Sequence, residues 1–130
     1  MALKKVLVAD DSRVFRMLVA EVLREVGLEV HEAPSGREAL DTALGVRPEL
    51  LILDALMPLL SGFEVLAKLK ERAPEYEPVV FIVTAVYKSR RWESEARQSY
   101  RVQEYLEKPV EPEDLLAKIR EYFPEVGVPS

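Results

Sequence analysis

Val6-Leu7-Val8-Ala9-Asp10-Asp11 is the stretch on which the fold turns. Its apolar run is short, lacks polar alternation and ends abruptly in acid, as expected of a strand buried on both faces. Leu50-Leu51-Ile52-Leu53-Asp54 repeats the design. Val79-Val80-Phe81-Ile82-Val83-Thr84 and Tyr105-Leu106-Glu107-Lys108-Pro109 vary it, and Leu28 to Ala33 reads as a further strand. The segments between these runs have helical period. Phe15, Leu18, Val19, Val22, Leu23 and Val26 share one helical face after a Ser12 N-cap, and Gly27 supplies the stop. Ser35 with Glu38 reads as a capping box for a short helix through Ala39, Leu40, Ala43 and Leu44, closed by Gly45 and Pro48. Phe63, Leu66 and Leu69 mark the core side of a third helix. A mostly polar helix is expected over 89–100. Pro112 sits near the start of a last one carrying Leu115, Leu116, Ile119, Tyr122 and Phe123. This alternation of strand and helix predicts an α/β fold, a five-stranded parallel sheet with helices on both faces.

Bulk properties narrow the class. A chain of 130 residues is expected to be one domain, 1–130, with its core over about 5–123 and a frayed tail at 124–130. The net charge of −5 argues against nucleic-acid binding over the whole surface. No apolar stretch is long enough to insert in a membrane, and the start of the chain has no signal-peptide pattern. The absence of cysteine removes thiol catalysis and disulfides and makes the cytoplasm the expected compartment.

Function is written at the strand ends. Carboxyl ends of parallel strands are where open α/β sheets place their ligand crevice, and here they carry Asp10, Asp11, Asp54, Thr84 and Lys108. A lone aspartate in such a place is most simply a helix cap; the whole set on one rim is not. Three clustered carboxylates are costly unless a cation neutralises them or protons are retained. Hard oxygen ligands in an incomplete shell suit Mg2+, which often shares its coordination with phosphate. The Lys108 amine and Thr84 hydroxyl are suited to phosphoryl oxygens, and phosphoryl transfer needs mainly positioning and charge neutralisation. Asp54, alone at its strand end, is the best candidate for a carboxylate nucleophile that forms an acyl phosphate.

At these residues the chain resembles the receiver domains of two-component response regulators, the chemotaxis regulator among them. The resemblance runs from Val6 to about Phe123. It rests on Asp10-Asp11, Asp54-x-x-Met57-Pro58-x-x-x-Gly62, Thr84-Ala85, Tyr105-Leu106-x-Lys108-Pro109, and Ala33-Pro34-Ser35-Gly36-Arg37-Glu38-Ala39-Leu40. It implies a flavodoxin-like, doubly wound sheet of strand order 2-1-3-4-5. It also implies that Asp54 accepts a phosphoryl group from the phosphohistidine of a sensor histidine kinase or a histidine phosphotransfer protein, in a phosphorelay or as a diffusible regulator. Asp11, Asp54 and the backbone carbonyl of Leu56 would hold Mg2+, with Asp10 assisting. Thr84 and Lys108 would bind the phosphoryl oxygens, and Tyr105 would be the switch aromatic, burying its ring as Thr84 moves. A downstream protein would dock on the face of the fourth helix, fifth strand and fifth helix, a face that also serves phosphorylation-dependent homodimers.

Departures from the family pattern modify this expectation. Leu56 and Val86, two positions beyond Asp54 and Thr84, are apolar where many relatives carry groups that orient the hydrolytic water, so slow self-dephosphorylation is expected. Ser61 replaces a commonly acidic residue. Arg101-Val102 replaces a small Gly-Ala pair, and the longer segment before it suggests a displaced fourth helix. Lys88, Arg90, Arg91 and Arg97 beside Tyr87 and Trp92 read as a solvated helix start paired with Glu93 and Glu95, ahead of a docking patch. His31 reads as an exposed strand residue. Two competing functions are weaker. A pseudo-receiver that docks without phosphorylation conflicts with the complete rim. An aspartyl-phosphate phosphohydrolase needs a general acid where Leu56 stands.

Overall fold

The structure, a computed structural model, describes residues 4–85 and 100–127. Five strands form one sheet: β1 (Lys5–Ala9), β2 (Glu29–Ala33), β3 (Leu50–Leu53), β4 (Val79–Thr84) and β5 (Glu104–Glu107). The spatial order is β2-β1-β3-β4-β5 and every pairing is parallel, so the doubly wound arrangement expected from the sequence is the observed one. The described helices are α1 (Arg13–Glu25), α2 (Gly36–Val46), α3 (Gly62–Arg72) and the last helix, here α4 (Pro112–Tyr122). The helix expected over 89–100 lies outside the described residues except for its end at Tyr100. Outside them too lie Val86 and the Tyr87–Arg97 cluster of basic and aromatic residues.

Side-chain alternation along each strand divides the apolar residues between two cores. Val6, Val8, Ile52, Phe81 and Val83 meet α1 and α4 through Val19, Leu23, Leu115 and Ile119. Leu7, Ala9, Leu51, Leu53 and Ile82 meet α2 and α3 through Ala39, Leu40, Val65 and Leu69. Burial on both faces is why β1, β3 and β4 carry no polar alternation, whereas the edge strands β2 and β5 place Glu29, His31, Glu32, Glu104 and Glu107 at half-buried or exposed positions. Because β2 lies on one side of β1 and β3 on the other, the chain reverses its winding between β1 and β3. A crevice opens at that switch point, where Asp10, Asp11 and Asp54 stand.

Helix boundaries show where local signals were misleading. Ser12 caps α1 as expected, accepting from the Phe15 N–H at 3.3 Å. Leu18, however, is 49% exposed, because the apolar stripe of α1 is wider than the face the sheet covers. Gly45 does not close α2; the helix runs to Val46 and ends on Arg47, a non-glycine residue at φ 52. Arg47 is held there through its ion pair with Glu75 and its stacking on Tyr76. At the start of α2 only one half of the expected box forms, Ser35 accepting from the Glu38 N–H. The reciprocal box is at α3, where Ser61 accepts from Glu64 N–H and Glu64 accepts from Ser61 N–H. Nor does the tail fray at Pro124: Val126 is buried in the first core, and its carbonyl accepts from Arg120 Nε at 2.9 Å.

The loop from β3 to α3 lies hard against the start of α2. Gly36 N–H donates to the Pro58 carbonyl, and a Cβ at Gly36 would stand 1.8 Å from the Leu60 carbonyl oxygen. A Cβ at Gly45, in the same helix, would meet nothing within 4 Å. Gly36→Ala is therefore expected to cost about 1–3 kcal/mol by overpacking. Gly45→Ala should add up to about 1 kcal/mol through helix propensity. Urea unfolding of the two variants checks this, and equal shifts in one direction would show that the loop is not packed as described.

Candidate functional site

The site grows directly from the sheet. Asp54 N–H donates to the Ala9 carbonyl and Asp10 N–H to the Ala33 carbonyl, so both residues continue the strand pairing one step past the strand ends. Asp10 is 1% exposed and Asp54 7%, whereas Asp11 is open to solvent. Each buried carboxylate turns one oxygen to a nearby backbone donor. Asp10 Oδ1 accepts from Ser12 N–H at 2.8 Å, and Asp54 Oδ1 accepts from Leu56 N–H at 3.0 Å. The other oxygens share one ammonium: Lys108 Nζ donates to Asp10 Oδ2 at 2.6 Å and to Asp54 Oδ2 at 3.2 Å. Lys108 is placed by its own N–H, which donates to the Thr84 carbonyl at 2.9 Å and joins the ends of β4 and β5. The Lys108–Pro109 peptide bond is cis.

One ammonium does not balance three carboxylates. Ligand oxygens of Asp10, Asp11 and Asp54 lie within 4.8 Å of one another. Burial pushes the Asp10 carboxyl above its ordinary value, and the Asp54 charge adds to this. The Lys108 and Ser12 hydrogen bonds oppose the rise without cancelling it. Burial works to depress Lys108, but its bond to Asp10 and the charges of Asp10 and Asp54 outweigh it, so the ammonium is raised and stays charged. Excess negative charge, hard oxygen donors and an open side at Asp11 fit a small divalent cation such as Mg2+.

Residues 6–120 match the model of the response regulator receiver domain. The chain belongs to that family. Among solved structures it is similar to the chemotaxis response regulator CheY4 of Vibrio cholerae, at 32% identity and a TM-score of 0.82, over 92% of this receiver and 98% of that chain. Among curated relatives, the protein-glutamate methylesterase/protein-glutamine glutaminase of Archaeoglobus fulgidus is 40% identical over 79 residues. That alignment spans 60% of this chain and 22% of the relative. The response regulator MprA of Mycolicibacterium vanbaalenii is 34% identical over 89% of this chain. The receiver thus spans 48% of the length of MprA and a smaller share of the methylesterase. Receiver domains are phosphorylation-activated signalling modules that typically bind Mg2+ at an acidic pocket, and Asp10, Asp11 and Asp54 form an acidic cluster here.

The receiver brings Asp10, Asp11, Asp54 and Lys108 into one cluster. Thr84 is wholly buried at the end of β4, next to Lys108 through its carbonyl. Tyr105 is 3% exposed and already packed in the second core. Leu56 is 56% exposed while its N–H serves Asp54. His31 is only half-buried and pairs with Glu29 at 2.6 Å. Arg101 adopts φ 53, in the left-handed region that the family's small residue enters more cheaply, and pairs with Glu77. The sequence reading missed Arg16, whose Nη1 donates to the Asp10 carbonyl at 2.7 Å while its Nε pairs with Glu32. A basic residue one turn past the Ser12 cap was the available signal.

The raised Asp10 value has a measurable consequence. Between the ordinary aspartate value and the raised one, the folded receiver holds a proton that the unfolded chain has released. The Asp10 contribution to stability is thus fully present below the ordinary value and lost as pH rises through the raised one. Asp10→Asn keeps an acceptor for Ser12 N–H and does not titrate. In metal-free urea unfolding, wild type should therefore gain stability relative to Asp10→Asn as pH is lowered through this window. A constant difference, or one of opposite slope, would show that the carboxylate is not held up by burial.

Proposed function

We propose that Asp54 is the phosphoacceptor of a Mg2+-dependent switch, receiving its phosphoryl group from the phosphohistidine of a sensor histidine kinase or histidine phosphotransfer protein. The observation that carries this reading is the Lys108 ammonium lodged between Asp10 and Asp54, a cation already placed where phosphoryl charge would arrive. An Asp54 carboxylate oxygen forms the new P–O bond, the P–N bond breaks, and the electron pair returns to the imidazole, which takes up a proton. Asp11, Asp54 and the Leu56 carbonyl would hold Mg2+, with Asp10 assisting. The bound ion supplies charge neutralisation at the phosphoryl oxygens. Lys108 offers its ammonium and Thr84 its hydroxyl to the same oxygens, and Tyr105 serves as the switch aromatic.

Several features support docking of a phosphodonor protein over the site. Val14, Met17 and Leu18 are exposed on the first turns of α1, and Leu56 and Leu59 on the loop after β3. Apolar side chains so near a charged pocket suit a protein surface that must exclude water during transfer. Leu59, itself 74% exposed, also holds φ 74, a costly conformation for a leucine. Output through the face of β5 and its flanking helices belongs to the same proposal, as does homodimerisation there after phosphorylation. No helix among the described residues is long and apolar enough to cross a membrane. Cytoplasmic action without nucleic-acid contact completes the reading.

Intact-mass measurement after incubation with Mg2+ and acetyl phosphate tests the assignment. Wild type should gain one phosphoryl group, only with Mg2+, and Asp54→Ala should gain none. No added mass on wild type, or equal addition to the variant, overturns it. The exposed, apolar Leu56 cannot orient a water molecule toward the phosphoryl group. Once donor is removed, the added mass should persist for many minutes at least; decay within seconds would contradict this.

A further inference from the structure

Lys108 Nζ has a third neighbour besides the two carboxylates. It lies 4.4 Å from the centroid of the Phe15 ring, well inside the ~6 Å reach of a cation–π contact. An ammonium has three hydrogens. Asp10 Oδ2 and Asp54 Oδ2 accept two of them, and the ring offers its electron-rich face to the same charge. The Lys108 side chain is only 17% exposed, so water screens the contact weakly.

Phe15 is held firmly enough to matter. It stands in the first turn of α1, its N–H donating to the Ser12 hydroxyl that caps the helix. Its ring packs against the core between the sheet, α1 and α4. A lysine ammonium rides on a flexible four-carbon stem, so fixing it in place opposes considerable rotamer freedom. The contact to Asp54 is the longer of the two carboxylate bonds, and it is the one that must rearrange when Asp54 changes.

We propose that Phe15 is a positioning residue for Lys108, its ring face keeping the ammonium at the Asp10–Asp54 pair so that it is in place for incoming phosphoryl oxygens. The proposal rests on the phosphoacceptor reading of Asp54. A leucine at this position would fill much of the same apolar space without a ring face. The aromatic character, not the bulk, is therefore what the site uses.

Two readouts on the full chain test this. The first is NMR of the metal-free protein, in which the ring current of Phe15 should move the Lys108 ε-methylene resonances upfield. Phe15→Leu should return them toward ordinary lysine values. The second is the rate of phosphorylation by acetyl phosphate with Mg2+. Phe15→Leu should slow it by about threefold to tenfold, the range that a partly desolvated cation–π contact supplies. Phe15→Tyr and Phe15→Trp, which keep a ring face, should recover most of the rate. Pentafluorophenylalanine in place of Phe15 keeps the ring shape but inverts its quadrupole, and should behave like leucine even if the leucine variant folds poorly. Lys108 resonances unchanged in Phe15→Leu overturn the proposal. Equal slowing in the leucine and tyrosine variants, or none in the pentafluoro variant, also overturns it. A wild type that shows the upfield shift but takes no phosphate overturns the phosphoacceptor reading, leaving the ring–ammonium contact intact.

Discussion

Two aspartates buried at the ends of adjacent parallel strands, with one lysine ammonium between them, set the terms for everything at this end of the molecule. The triangle joins Lys108 to residues 98 and 54 positions away in the chain, so it exists only once β1, β3 and β5 are in register. A buried ion pair of this kind does little for net stability, since desolvation of the charges offsets most of their attraction. Here the balance is worse than for an ordinary pair, because Asp11 adds a third negative charge within 4.8 Å. The molecule carries a local electrostatic deficit at the switch point of its sheet. Such a deficit is tolerable when the surrounding cores are large, and it is useful because a cation or a phosphoryl group with its counter-ion can relieve it.

The deficit must be held in shape, and the holding is done by backbone rather than by further charge. Ser12 N–H and Leu56 N–H fix one oxygen of each buried carboxylate. The loop that supplies Leu56 returns to the sheet at Gly62, whose N–H donates to the Ala55 carbonyl. A Cβ at Gly62 would lie 2.4 Å from the Asp54 carbonyl oxygen. Close approach thus requires glycine at that point, and the Ser61–Glu64 box fixes the helix that begins there. Arg16 closes the other side by binding the Asp10 carbonyl, tied in turn to Glu32 on β2.

Much of this was legible in the residues alone, for a physical reason. Strands covered on both faces cannot hide polar residues, so Val6–Ala9, Leu50–Leu53 and Val79–Val83 announce themselves, and the acid, hydroxyl and amine that end them mark the rim. Legibility fails where a side chain's partner is set by tertiary geometry. Leu18 fits the helical stripe as well as Val19 does, and only the packed sheet separates the exposed residue from the buried one. Ser35 and Ser61 are both followed three residues later by glutamate, yet only the second pair closes reciprocally. Val126 follows a proline and a glutamate that suggest a tail, but Arg120 captures its carbonyl. Phe15 reads as one more core aromatic, since nothing local to it indicates a lysine 93 residues later in the chain.

The short strand β5 links the site to the interior. Thr84 pairs with Glu107 and Ile82 with Tyr105 in the register between β4 and β5, and the Thr84 carbonyl binds the Lys108 N–H just beyond. Lys108 and Tyr105 therefore stand on one short segment, the first facing the acids and the second buried in the core with Leu53, Ile82 and Val102. On the phosphoacceptor reading, charge added at Asp54 acts on the Lys108 ammonium and the Thr84 hydroxyl together, at the point where β4 and β5 are joined. On the same reading, a displacement there would reach the Tyr105 ring through the strand itself, because a packed interior moves between discrete arrangements rather than deforming smoothly. On that reading, the short segment that carries the site's ammonium is also the one that would report its occupancy.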